Sequence, residues 1–342
     1  MDVLVLGAGP AGALCAGLLA RLGHSVLLLE GPRTKDRIVE TIPESALDFL
    51  DLKDTTVSVE ASRTIWWGTD EPEREFFTDP RQRIHIERSP LECLLLDYAC
   101  VPGVRVLVNR HAPAFDLPSG TVQHDHGITK ARFIVDATGR AGLLARQTRR
   151  FWDDRFSTIG VCAIVAGPFD AGLGETLVEA FDHGWGWSVP MATDRRYICL
   201  MLEAGAVRAG SEAAFRQAFD SAVNLRRGSG DPRLDGPVMS RDTSLYQAER
   251  YAGSNWILIG DAGFFADPIA SNGVENAIRS ARAGAEAVHA TLTNPAAAES
   301  ELVRFDAGER AVYEQFRMDA ARRSEAAASF FGTGFWTARA SA

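Results

Sequence analysis

No stretch of this chain is apolar for long enough to read as a membrane span. The longest hydrophobic run near the N-terminus is cut by Arg21, Gly23 and His24. No leader is expected either, because Val3-Leu4-Val5-Leu6 begins almost at Met1, and a cytoplasmic location follows as the expectation. Cysteine is sparse: Cys15, Cys93, Cys100, Cys162 and Cys199 are scattered without metal-type CxxC spacing. They read as reduced core thiols, and no metal site is expected. Basic residues are outnumbered, 36 Lys and Arg against 45 Asp and Glu, for a net charge of −9. That balance argues against a nucleic-acid or anionic-membrane partner. Internal repeats and low-complexity linkers are missing too. What is left is 342 residues, 46% apolar and 24% charged, enough for two packed units with a sizeable core.

The most informative segment comes first. Val3 to Leu6 is apolar without alternation, as a strand buried on both faces is. It runs into Gly7-Ala8-Gly9-Pro10-Ala11-Gly12, a GxGxxG, and then into a helical pattern through Leu14, Leu18, Leu19 and Leu22. A second apolar strand, Val26 to Leu29, ends on Glu30. Gly7 permits the tight turn, Gly9 lets a pyrophosphate approach the backbone, and Gly12 lets helix and strand pack closely. The helix N-terminus offers free N–H groups to phosphate. Glu30 stands where an acid can bond a ribose diol, which also argues against a 2′-phosphate there. This is a dinucleotide site whose occupant the segment itself leaves open.

Two later segments choose between occupants. Phe133-Ile134-Val135-Asp136-Ala137-Thr138-Gly139-Arg140 is a buried strand ending in a small-residue turn. Trp256 to Ile259 is another, ending in Gly260-Asp261-Ala262 and continuing through Asp267-Pro268-Ile269-Ala270-Ser271-Asn272-Gly273-Val274 into a helix. Together with the opening, these motifs resemble the p-hydroxybenzoate hydroxylase superfamily of FAD-dependent oxidoreductases. The resemblance spans most of the chain in order. It implies FAD as cofactor, with Gly7, Gly9, Ala11, Gly12, Glu30, Asp136 and Gly139 in the dinucleotide site. It further implies Asp261 on the ribityl chain, Pro268 at the reactive edge of the ring, and Gly273 and Val274 opening the helix aimed at the flavin pyrimidine. Arg88, at the start of the Ser89 to Leu95 helix, would face the FAD phosphates or ribose. A helix N-terminus suits the negative charge of reduced flavin on independent grounds.

The fold class expected is α/β: a Rossmann-like FAD-binding domain with an inserted β-sheet substrate domain and a C-terminal helix. The FAD domain is read as discontinuous over 1–60, 86–150 and 242–300, the substrate domain as 61–85 and 151–241, and 301–342 as a helix with an aromatic tail. Strands read at 63–67, 81–87, 159–166, 176–182, 185–189 and 196–202 would roof the flavin, with a helix near 211–225. A small meander is expected over 109–130. Phe330, Phe331, Phe335 and Trp336 suggest a tail that docks on the body.

Finer resemblances point to a branch. Ile38 to Pro43 resembles the V-G-E-x-T-x-P segment of flavin-dependent halogenases without its Gly, and Gly184 to Pro190 resembles their W-x-W-x-I-P motif. Asp267, Pro268, Ser271 and Gly273 fit the halogenase D-P-x-x-S-x-G. Yet no Lys lies in Ser62 to Trp67, where the halogenase Lys should fall, and Ala270 replaces the Glu of tryptophan halogenases. The halogenase-like flavoproteins that modify peptidyl tryptophan are the better likeness, through Arg63 to Gly68, Arg83 to Arg88 and the aromatic tail. That resemblance implies a monooxygenase hydroxylating an electron-rich aromatic, an indole or tryptophan, free or peptide-linked, through a flavin C4a-hydroperoxide. Its partners would be O2 and, with no second GxGxxG for a nicotinamide, either a separate flavin reductase or a substrate that itself reduces the flavin. Candidate catalytic residues are Glu40, Trp187 and His85, with His183 a second relay histidine. Trp66, Trp67, Trp185 and Trp187 are candidates to line the cavity. Alternatives are a reductase resembling the geranylgeranyl reductases, a halogenase, and a flavin-bound maturation chaperone.

Overall fold

The computed structural model describes residues 1–32, 38–46, 48–50, 52, 57–79, 83–227, 232–270 and 273–341. Its opening strand, Val3–Leu6, is wholly buried and pairs in parallel with Val26–Glu30 on one side and Phe133–Asp136 on the other. Val104–Val108 and Trp256–Leu258 extend this sheet in parallel at either flank, and Ala252–Gly253 adds an antiparallel edge. Continuous apolar runs form these strands because helices cover the sheet. Helix α1 (Pro10–Arg21) packs beside α2 (Arg88–Ala99) and α4 (Gly273–Thr293), and its buried side chains join one core with those of Val3, Val5, Val26 and Leu28. The expected α/β architecture is present.

A second sheet has eight strands, among them Thr158–Ala166, Arg195–Glu203, Gly184–Ala192, Glu175–Phe181 and Ser62–Trp66 in spatial order. Its strands alternate between two faces. Val161, Ala163, Ile198 and Leu200 point outward onto α3 (Ser211–Ser221), where Phe215 and Phe219 cover them. Cys162, Ile164, Tyr197 and Cys199 point inward, toward Val39 and Ile269. The meander at 109–130 is a three-stranded sheet of Ala114–Asp116, Thr121–His124 and Gly127–Lys130.

One strand is not where the sequence reading put it. Arg83–Glu87 does not join the roof; it pairs antiparallel with Val39–Pro43 and Val57–Val59. Ile84 and Ile86 are apolar and pack into the core under the parallel sheet, which fixes the strand on that side. The C-terminal segment is two helices, α5 (Ala298–Phe331) and α6 (Gly334–Ala340). Trp336 is fully buried against the inner roof and donates its indole N–H to Phe181 O at 2.8 Å. The aromatic tail does dock, although Phe330 stays exposed. Cys93 and Cys100 are exposed rather than core thiols, because they lie on the outer side and end of α2. No helix among the described residues is long and apolar enough to cross a membrane.

Candidate functional site

Three turns meet at the C-terminal ends of the parallel strands. A Cβ on Gly7, whose φ is +89°, would sit 2.5 Å from the carbonyl oxygen of Ala137. A Cβ on Gly12 would collide with the carbonyl of Gly7, and one on Gly260 would come within 3.0 Å of Ala11. Close approach of backbone requires glycine at positions 7 and 12, while Gly260, with φ +57°, meets the Ala11 side chain. Gly9 and Gly139 differ: a Cβ there would meet nothing, so both face open space. Gly9 caps α1 without a side-chain bond, and Pro10 follows at the first helical position. The first turn of α1 holds no acidic residue to compete with an incoming anion. This cradle fits a diphosphate. Glu30 ends the neighbouring strand and its carboxylate accepts the N–H of Ala8.

Asp136 does not reach this cradle with its carboxylate. The side chain is fully buried and accepts from Thr138 N at 2.9 Å, Thr138 Oγ1 at 2.6 Å and Leu144 N at 2.7 Å. It shapes the turn that presents Gly139, and its cofactor role is corrected to that.

Glu40, Arg88 and Asp261 converge from three different elements. Arg88 binds Glu40 at 2.7 Å and Glu92 at 2.8 Å. Burial alone would lower the guanidinium pKa, yet the two carboxylates hold it above its ordinary range. Asp261 is half-buried, and desolvation raises its pKa to about 6. Arg88 opposes that rise and Glu40 adds to it. The Glu40 charge is also felt by Tyr197 and Cys199 in the roof, both pushed well up, first of all by burial. Glu40 thus stands between the cradle and the inner roof. Arg88 is anchored to carboxylates in this arrangement, so its sequence role at a phosphate is not its present contact.

His85 is displaced from the role expected of it. It is 2% exposed, with Nδ1 3.0 Å from Thr41 Oγ1 and Nε2 3.1 Å from Thr176 Oγ1. Burial lowers its pKa to about 4, so it stays neutral near pH 7, and both ring nitrogens are engaged by the two threonines. It latches the small sheet to the roof. His183 lies exposed in the turn after Phe181.

The tryptophans divide. Trp66 points to the outer face with Phe215 and Phe219 and lines no inner cavity. Trp187, half-buried, Trp185, Trp67 and Trp336 form a run of rings with centroids 5.4, 5.9 and 5.4 Å apart. Pro268 opens a short turn beside the buried Asp267, whose carboxylate accepts from Ile269 N at 2.9 Å. Gly273 and Val274 begin α4, while Ser271 and Asn272 of the same motif lie outside the described residues. Among the described residues no group of three or more His, Cys, Asp or Glu could hold a metal ion.

Sequence reasoning missed four contributors. Tyr246 donates its hydroxyl to Asp261 O, bracing the Gly-Asp-Ala turn. Tyr197 in the roof feels the Glu40 charge, a relation between strands distant in sequence. Ser280 on α4 accepts the Gly260 N–H at 2.9 Å, and Glu309 on α5 accepts from Ser280 Oγ at 3.1 Å. No local signal marks a relay split among three elements.

Comparison with known proteins gives one family and many neighbours. Residues 82–340 match the family model described as tryptophan halogenase. A tryptophan 2-halogenase of Chondromyces crocatus is 28% identical over 324 residues, covering 85% of this chain and 61% of its own. The flavin-dependent halogenase armH1 of Armillaria mellea is 27% identical, covering 85% of this chain and 65% of its own. The chain therefore spans less than two thirds of the length of these relatives. Among solved structures, the flavin-dependent halogenase CmlS superposes with a TM-score of 0.87 at 23% identity, over 99% of this chain and 67% of that one. The peptidyl tryptophan dihydroxylase QhpG, essential for tryptophylquinone cofactor biogenesis, gives 0.76 at 24% identity, over 99% and 78%. These structures speak for the fold alone.

Proposed function

Because the chain belongs to the tryptophan halogenase family, we propose that it is an FAD-dependent monooxygenase hydroxylating an electron-rich aromatic, an indole or tryptophan, free or peptide-linked. The observation that carries this reading is at the Ser62–Trp66 strand. Where the halogenase resemblance asks for a Lys there is none, and the nearby polar side chains are engaged. Arg63 pairs with Glu60 at 2.9 Å, and Thr64 Oγ1 donates to Glu175 at 2.6 Å.

FAD, when bound and reduced, supplies an electrophilic oxygen from O2. The chain's own residues do the rest. Gly9, Gly139 and the N-terminus of α1 hold the diphosphate, Glu30 the ribose, and Asp261 the ribityl chain. Arg88 fixes Glu40 through Oε1, and the Glu40 carboxylate accepts the proton the ring loses after oxygen is added. The inner roof, with Trp187 at its half-buried edge, seats the aromatic and keeps water away. A separate flavin reductase supplies the electrons in this reading.

The test is to reduce the flavin anaerobically, admit O2, and follow absorbance with and without indole compounds. A transient whose lifetime changes with the aromatic is expected, with oxygenated product. Reoxidation at one rate, blind to every aromatic offered, would overturn the reading. Halogenation is the second reading, favoured by the family and by what these relatives are. Of the chain's three lysines, Lys130 sits in the meander, while Lys35 and Lys53 lie outside the described residues. Chlorinated product in the presence of chloride would establish it.

A further inference from the structure

Cys162 and Cys199 are directly opposite each other on the antiparallel strands Thr158–Ala166 and Arg195–Glu203. Residues so placed have Cα atoms about 4.5–5.5 Å apart, within the ~4.4–6.8 Å that a disulfide spans. Both thiols turn to the inner face of the roof, 6% and 2% exposed, with Sγ atoms 2.6 Å apart. Tyr197, two residues before Cys199 on the same strand, turns to the same inner face. The mechanism above uses neither sulfur.

We propose that Cys162 and Cys199 form a reversible dithiol–disulfide couple in the roof of the flavin cleft, oxidised by hydrogen peroxide. One thiol attacks the peroxide, breaking its O–O bond to give a sulfenic acid and water. The second thiol displaces the sulfenic hydroxyl as a second water, and the S–S bond forms. Two sulfur-bound hydrogens are lost and the peroxide takes up two electrons, so the step balances. Burial pushes the Cys199 thiol well up, which slows it toward any oxidant, and the low exposure of both thiols shuts out bulky reagents. A small uncharged oxidant is the kind that can enter. Where O2 takes two electrons without a substrate to oxygenate, peroxide arises within the cleft itself. That supply rests on the proposed function; the couple does not. The consequence is local: the S–H groups near Tyr197 vanish, and two roof strands become covalently tied.

The experiment adds hydrogen peroxide to the purified protein, then quenches in acid, alkylates the unfolded chain and maps peptides without reduction. The expected result is a cross-linked pair containing Cys162 and Cys199 in most molecules, lighter by two hydrogens and reversed by dithiothreitol. It should persist in Cys93→Ser/Cys100→Ser and vanish in Cys162→Ala and, independently, in Cys199→Ser. Recovery of both cysteines as free thiols, at a dose that fully oxidises the exposed Cys93, overturns the proposal. So does their recovery as separate, uncross-linked acids. Because peroxide is added directly, the result is independent of whether the chain oxygenates any aromatic.

Discussion

Asp261 carries an electrostatic debt that a cofactor-free molecule should reveal. Its raised pKa means that the folded protein binds a proton there more tightly than the unfolded chain does. The group therefore destabilises most above pH 6 and progressively less as pH falls toward the ordinary carboxylate value. In Asp261→Asn that dependence is gone. The variant should gain melting temperature over wild type at pH 8 and show a smaller difference at pH 5, read by thermal melts of apo protein. The same variant should retain less FAD at pH 8, because the ribityl partner is lost. Several residues of the site were legible because a motif fixes both their type and their neighbours. Gly7, Gly12 and Gly260 are glycines for steric reasons that a sequence pattern records. Asp136 was misread because strand-end acids look alike in sequence, whether they face a ligand or bond their own turn. Trp66 was misplaced by one position of alternation, which is enough to move a side chain to the other face of a sheet.

At the level of elements, α5 does more than cover the sheet. Glu309 is 1% exposed and receives Arg279 through two nitrogens, at 2.9 and 2.8 Å, besides Ser280. Ser280 in turn holds the N–H of Gly260, the residue before Asp261. Glu309, 49 residues downstream of Gly260, thereby sets the turn that the cofactor is proposed to touch. Glu309→Gln leaves Arg279 poorly paired, costing about 1–3 kcal/mol. FAD should bind several-fold more weakly as well, measured by flavin fluorescence titration, whereas Glu309→Asp should restore part of it. The helix itself was readable from its length and Ala-rich, charged composition; its grip on Gly260 was not. The strand Arg83–Glu87 makes the same point, since its existence was legible but its partner depended on which core Ile84 and Ile86 enter.

Across the whole molecule, His85 is one of the polar contacts that tie the small sheet beside the parallel-sheet body to the roof. It joins Thr41 below to Thr176 above. A histidine held neutral in the fold binds fewer protons than in the unfolded chain once pH drops under about 6.5. Its contribution is full above that value and is lost as pH falls toward its folded pKa of about 4. Wild type should therefore shed up to about 3 kcal/mol through this group between those limits. His85→Gln, which can still bond both threonines, should shed less over the same range, as read from urea melts. A variant with an unchanged pH slope would show that the latch is not the element that fails in acid.

The run of indoles from Trp187 to Trp336 has an optical consequence. Rings spaced 5.4, 5.9 and 5.4 Å apart exchange excitation readily, so light absorbed at one is emitted wherever the array drains. A yellow chromophore lodged under the inner roof would be that drain. The protein's ultraviolet emission would then dim in proportion to the fraction of molecules loaded, giving an intrinsic gauge of occupancy that needs no turnover and no label.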